Sequence, residues 1–271
     1  MRRKIFINSQ EYTIEGDEVY LSRVNEHFEQ PTIDFFRTFC RNHFHALDLG
    51  ANIGLTTIAL ANICEKGKII AIEPIPHTFN LLKKNLFHAG ITNVEEYNFA
   101  IGNKEGSSIM QGFHSFLAGS FIADVYPLST QEFTVEVPVK TLDNVFDSFK
   151  MDRLDFIKID IEGYELFALE GAKNILKKFK PIVYLEMNHW CLNVFQRITL
   201  PEFRERLLSI FPCIFAIEDY AFLDFSCNNN FHIIAHEHLI KFKYLNLVAG
   251  FNEEGLLKNL HNFSKLKQQI A

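Results

Sequence analysis

Four nearly continuous apolar runs recur along this chain: HALDL (45–49), KIIAIE (68–73), LDFIKID (154–160) and PIVYLEM (181–187). A strand that is apolar at almost every position has both faces covered, and segments long enough to be helices separate these runs. That combination specifies a mainly parallel, doubly wound α/β sheet with crossover helices on both faces. Helices are expected at LTTIALANIC after Gly54, from about Pro76 to Ala89, and from about Glu162 to Lys178. In the second of these, Phe79, Leu82, Leu86 and Phe87 follow helical spacing and Gly90 is placed to end it. VEEYNFA (94–100) reads as one more strand.

The flanks depart from this alternation. Residues 4–20 alternate in patches with Gly16-Asp17 as a turn signal, so a small N-terminal β-hairpin is expected. A helix from Pro31 follows, carrying Ile33, Phe35, Phe36 and Phe39. The stretch from about Gly102 to Val139 reads as paired short strands with a mobile loop, GFHSFLAGS, of the kind that covers active sites. Its His114 is either a substrate contact or an inert loop residue. After the fifth strand come a helix (201–211) and two strands, CIFAIED (213–219) and FHIIAHE (231–237), expected to pair as an antiparallel edge hairpin. A polar helical tail over 252–271 would bury Leu256, Leu257, Leu260 and Phe263. The expected organisation is an extension over 1–44, a main domain over 45–250 and a tail over 251–271.

Composition narrows the partners. With 271 residues, 48% of them hydrophobic, the chain can build one large core. Its 27 basic and 33 acidic residues give a net charge of −6, with no long basic run to neutralise phosphates, so no nucleic-acid partner is expected. Five widely spaced cysteines without a C-x-x-C pair read as reduced, mostly buried thiols. No apolar run approaches the roughly 18 residues of a membrane span, and MRRKIFINSQEY turns polar too early for a signal peptide. A soluble, cytoplasmic protein is expected. The 28 phenylalanines point to a Phe-rich core more than to an aromatic pocket.

The strongest local signal is Asp48-Leu49-Gly50-Ala51-Asn52-Ile53-Gly54, set where the first strand ends and a helix begins. Glycines there let backbone pass close to a ligand, and the carboxyl edge of an open α/β sheet is where ligands settle. Its partner is Glu73, at the end of the second strand, where an acid can accept hydrogen bonds from both hydroxyls of a ribose. Gly50 and Gly54 form G-x-x-x-G and lack the G-x-G-x-x-G turn that brings a helix N-terminus against pyrophosphate. S-adenosylmethionine (SAM), which has ribose and adenine but no phosphate, fits this pattern better than NAD.

ALDLGANIG, AIEP, NFAIGN, VKTLDN and FIKIDIEGYE occur together and in order, and this set resembles the FkbM family of SAM-dependent methyltransferases over roughly residues 45–190. The resemblance implies a Rossmann-like class I methyltransferase fold and a SAM cofactor. It implies that Asp48, Gly50, Ala51, Asn52 and Gly54 surround the methionine portion, that Glu73 holds the ribose and that Pro74 shapes the adjoining turn. Asn98, Phe99 and Ala100 would lie along the adenine. Methylation of a hydroxyl on a small molecule, such as a sugar or secondary metabolite, also follows from the resemblance; the residues themselves leave nitrogen open as acceptor.

FIKIDIEGYE puts Asp160 at the end of the fourth strand with Glu162 and Glu165 opening a helix, and the fifth strand ends in Leu185-Glu186-Met187-Asn188-His189. Acids from adjacent strand ends should converge beside the methyl donor. Two mechanisms fit. In one, a general base among Asp160, Glu162 and His189 takes the acceptor proton, with Glu186 part of the same acidic group. In the other, Asp160, Glu186 and Asn188 offer oxygen ligands to Mg²⁺, which acidifies a diol. The structural alternatives are that Glu162 and Glu165 favour a helix N-terminus, that Lys158 pairs with an acid, and that His189 and Trp190 pack over the fifth strand. A non-catalytic nucleotide-binding protein and an NAD-linked oxidoreductase are the competing functions.

Overall fold

The computed structural model describes residues 1–113, 116–122 and 133–270. At its N-terminus β1 (Arg2–Ile7) and β2 (Gln10–Glu15) form the expected hairpin, but the turn lies elsewhere. Asn8 and Ser9, with φ of 57° and 67°, make a two-residue turn whose left-handed residues match the twist of paired strands. Gly16-Asp17 instead leads into a helix, Glu18–Arg23. The next helix, Gln30–Phe39, begins near Pro31 as expected.

The apolar runs then form β3 (Ala46–Leu49), β4 (Ile69–Ile72) and β5 (Val94–Tyr97). The stretch expected as one strand over 94–100 breaks at Asn98-Phe99, and β6 (Ala100–Ile101) joins a second sheet. That sheet is completed by β7 (Gly106–Phe113), β8 (Phe116–Ile122) and β9 (Phe133–Lys140), in the order β6-β9-β7-β8. Paired strands thus run through most of the segment expected as a mobile loop, while His114 lies outside the described residues.

The main sheet resumes with β10 (Phe156–Ile159) and β11 (Ile182–Glu186). The intervening helix begins at Glu165 and is interrupted at Gly171-Ala172, giving Glu165–Glu170 and Lys173–Phe179. Glu162 and Gly163, with φ of 54° and 91°, make a turn before it, because two successive left-handed residues cannot continue a right-handed helix. After β12 (Cys213–Glu218) and β13 (Ala221–Asp224) the chain departs from expectation. FHIIAHE lies inside a helix, Asn228–Lys241, not in a strand: Ile234 and His238, four apart, are the pair it buries. The edge hairpin is β12 with β13, and the place beside β11 is taken by β14 (Asn246–Gly250).

The eight-stranded order is β13-β12-β14-β11-β10-β3-β4-β5, with β11-β10-β3-β4-β5 parallel and β14 antiparallel to both its neighbours. All four residues of β3, β4 and β10 are buried, as a sheet covered on both faces requires. Ile69 and Ala71 enter one core cluster and Ile70 and Ile72 the other. The first cluster also takes in the terminal segments. Phe35 stacks on Phe39 at 4.0 Å and meets Phe263 edge-on at 5.5 Å, so the C-terminal helix Glu253–Ile270 packs against the helix near the start of the chain. Leu256, Leu260 and Phe263 are buried there and Leu257 is half-buried. Asn85 fastens the N-terminal hairpin: its amide bonds both backbone groups of Glu15 and the carbonyl of Ile53, at 2.8–2.9 Å. Among the described residues, no helix is long and apolar enough to cross a membrane.

Candidate active site

From β3 the chain runs outward to β4 and β5 and then returns to place β10 on the other side of β3. Loops diverge at such a switch point, and the space between their ends admits a ligand. A cavity of about 370 Å³ lies there, lined by Gly50, Ala51 and Asn52 after β3, by Glu73 and Pro74 after β4, and by Asp160 after β10. Gly50 closes the joint between β3 and β10. It has φ of 77°, and a Cβ at this position would stand 1.9 Å from the Asp160 carbonyl oxygen. Gly54, at φ of 100°, starts the helix Leu55–Ile63 where a Cβ would meet Leu82 at 2.8 Å, and it does not line the cavity.

Glu73 is nearly buried, and its carboxyl is bracketed by two backbone amides: Asn52 N–H donates to Oε2 at 3.0 Å and Ile75 N–H to Oε1 at 2.9 Å. Burial nevertheless pushes its pKa up to about 7, against the opposing effect of those two amides and of Lys158. The Glu73-Pro74 turn is tied down from behind by Asn98, whose amide donates to both carbonyls at 2.8 Å. Asn98, expected beside the adenine, is thus a tether outside the cavity; Phe99 and Ala100 line it.

Asp48 is also placed differently from expectation. Its side chain is fully buried beneath the cavity, accepting from the hydroxyls of Thr56 at 2.8 Å and Thr57 at 2.7 Å. Lys158 Nζ stands 3.2 Å from Asp48 Oδ1 and 3.6 Å from Asp160 Oδ2, and donates to the Gly50 carbonyl at 2.9 Å. Burial opposes the charge on Lys158, but Asp48 and Asp160 outweigh it and raise its pKa. The lysine that the sequence offers as an acid's partner therefore ties β3 to β10 directly under the ligand space.

Asp160, Glu162 and Glu186 all line the cavity, and Asp160 is the most open of them, its side chain 47% exposed. Burial, with the Asp160 charge next, pushes Glu162 up to about 8. Cys191 Sγ donates to Glu162 Oε2 at 3.1 Å and works in the other direction. Burial also raises Glu186, whose Oε2 has no hydrogen-bond partner, and Asp160, Glu162 and Glu165 add to the shift. Glu165 lies behind, fully buried, accepting from the Ile161 and Gly163 amides.

His189 and Asn188 do not join this group. His189 opens the helix His189–Gln196 with its ring 4.8 Å from His238 and 5.0 Å from Phe242, outside the cavity, and burial lowers its pKa. Trp190 is half-exposed and packs edge-on against Phe195. Asn188 Oδ1 caps its helix by accepting from Cys191 N–H at 3.3 Å. The oxygen set expected for Mg²⁺ therefore does not fit: Asn188 is committed to the cap, and the Lys158 ammonium already stands beside Asp160. Among the described residues, no group of three or more His, Cys, Asp or Glu is arranged to hold a metal ion.

Part of the lining was not legible in the sequence. Tyr20, Asn25, Phe28, Glu29 and Thr32 come from the N-terminal extension, Met110 and Ile122 from the second sheet, and Tyr184 and Asn246 from β11 and β14. No motif marks these positions; each reaches the cavity only because its element folds over the sheet edge.

The family model for the methyltransferase FkbM domain matches residues 48–237. Among similar proteins, Methyltransferase 1 of Beauveria bassiana is 25% identical over 142 residues, covering 46% of this chain and 57% of that protein. A hexuronic acid methyltransferase of Haloferax volcanii is 30% identical over 140 residues, covering 50% and 53%. The chain thus spans little more than half the length of these curated relatives. A solved FkbM methyltransferase from Methylobacillus flagellatus superposes with a TM-score of 0.45 at 21% identity, covering 64% of this chain and 39% of that one. With the matched domain extending from β3 into the helix beyond β13, on a Rossmann-like sheet of the class I methyltransferase form, this chain belongs to the FkbM methyltransferase family.

Proposed function

We propose that this protein is a SAM-dependent methyltransferase that methylates a hydroxyl oxygen of a small-molecule acceptor, a sugar or a secondary metabolite. The observation that carries the reading is Glu73, a nearly buried carboxyl at the end of β4 that lines the cavity shared with Asp160, Glu162 and Glu186. The cavity volume of about 370 Å³ is within the range of small-molecule sites, roughly 300–1,000 Å³. Each Glu73 oxygen accepts one backbone amide and keeps a lone pair for a ribose hydroxyl, which would favour the charged form that burial now opposes. Absence of a G-x-G-x-x-G turn fits a cofactor without phosphate.

When bound, SAM supplies an electrophilic methyl group on a sulfonium sulfur. The residues of this chain then align the acceptor and remove its proton. Glu162, held up to about 8, is matched to a general base working near neutral pH. It would take the hydroxyl proton of the acceptor as the methyl group is transferred, so that the product is a methyl ether. Asp160 orients the acceptor through a hydrogen bond, and the apolar wall of Phe99, Met110 and Ile122 excludes water.

Calorimetric titration with SAM, S-adenosylhomocysteine and NAD tests the cofactor assignment. Binding of the first two and not of NAD is expected. A folded protein that binds neither adenosyl compound would refute it.

A further inference from the structure

The segment from the end of the N-terminal hairpin into the helix Gln30–Phe39 precedes the matched family region, yet it forms one wall of the cavity. It is held in place by specific bonds. The Arg3 guanidinium donates to the carbonyls of Leu21 and Val24, each at 2.5 Å. Phe6 N–H donates to Glu26 O at 2.7 Å, and Phe28 N–H donates to Phe6 O at 2.9 Å. These bonds zip residues 21–28 onto β1, and Tyr20, Asn25, Phe28, Glu29 and Thr32 line the cavity as a result. Glu29 takes a left-handed backbone, φ 30°, at the start of the helix Gln30–Phe39, and Thr32 Oγ1 donates to its Oε2 at 3.1 Å.

Among the described residues, five carboxyls line the cavity, Glu29, Glu73, Asp160, Glu162 and Glu186, against two cations, Arg23 and Lys158. Lys158 is held by Asp48, Asp160 and the Gly50 carbonyl, and Arg23 has an interaction of its own. Glu73 belongs to the cofactor side, so four carboxyls remain for the acceptor. A carboxylate ligand would add negative charge beside groups that already repel one another. A neutral hydroxyl instead donates to them, and the rings of Tyr20, Phe28 and Tyr184 offer apolar surface to the C–H face of a ring compound.

We infer that residues 20–32 form the acceptor subsite, and that Glu29, together with Asp160 and Glu186, selects an uncharged, hydroxyl-rich ring compound and rejects its carboxylate counterpart. The inference rests on the methyltransferase reading and deepens it. It also sets this chain apart from its relative named for a hexuronic acid.

The test uses the full chain and matched pairs of methyl hexosides and methyl hexuronides, which differ only at C6, with methyl transfer from radiolabelled SAM as the readout. The neutral member of at least one pair is expected to have a kcat/KM about tenfold or more above its uronide, the discrimination that like charges lining the site impose. Glu29→Gln should narrow that ratio several-fold and Glu29→Lys should narrow it further, with S-adenosylhomocysteine affinity and thermal midpoint near those of the wild type. Equal or better use of the uronides by the wild type, an unchanged ratio in a folded Glu29→Gln protein, or no transfer to any neutral hexoside while S-adenosylhomocysteine binds would each overturn the inference alone. Failure of the folded wild type to bind S-adenosylhomocysteine would overturn the methyltransferase reading and this inference with it.

Discussion

Replacing Glu73 by glutamine isolates the energetic consequence of holding a carboxyl in the cavity at the sheet edge. Burial raises that group from its usual 4.5 to about 7, a difference of about 3 kcal/mol at roughly 1.4 kcal/mol per pH unit. Because the folded pKa is the higher one, the folded chain binds the extra proton. The associated stability is fully present below about pH 4.5 and is lost as pH rises through 7. A glutamine at this position has no such titration. Its one amide oxygen can accept from only one side of the Asn52 and Ile75 pair, and its NH₂ faces the other N–H, a mismatch worth about 1–3 kcal/mol at every pH. Urea unfolding at pH 5 and pH 8 should therefore find the Glu73→Gln protein less stable than wild type at the lower pH, and the variant should recover about 2–3 kcal/mol relative to wild type at the higher. A difference between the two proteins that stays constant across this range would refute the argument, since it would mean that Glu73 titrates alike in the folded and unfolded chains. Adding S-adenosylhomocysteine should flatten the wild-type dependence, as ribose hydroxyls stabilise the charged form.

Lys158→Met should cost about 3–5 kcal/mol in urea unfolding, because it leaves the fully buried Asp48 with only the two threonine hydroxyls as partners; a loss under about 1 kcal/mol would show that the ammonium does not hold β3 to β10. Gly50→Ala combines a left-handed φ of 77° with a Cβ 1.9 Å from a carbonyl oxygen, and its thermal midpoint should fall sharply; an unchanged midpoint would contradict the close approach of the two strand ends. Glu162→Gln should lower kcat by about 10²–10⁴-fold while leaving S-adenosylhomocysteine affinity intact, and undiminished turnover would remove Glu162 as the general base.

Residue order alone dictates the sheet and the place of the cavity at its edge. Runs such as IIAI and FIKI are buried on both faces, which only a covered parallel sheet provides, and glycine with acid at the ends of β3 and β4 marks the cavity. These signals are local: they depend on residue type and spacing along one element. Packing in three dimensions settles what depends on neighbours distant in the chain. FHIIAHE is apolar enough for a strand, but Asn246–Gly250 holds the place beside β11, and Ile234 with His238 buries one helical face instead. Asp48 has the motif position of a ligand contact, yet Thr56, Thr57 and Lys158 draw it beneath the floor. Asn188 has the chemistry of a ligand oxygen, yet a helix cap uses it. The wall of Tyr20, Asn25 and Glu29 carries no motif, because it is positioned by Arg3 and Phe6 through bonds that span about twenty residues of chain. Periodicity fixes which face of an element is apolar, whereas only packing fixes which polar side chain finds a partner and which is left facing the cavity.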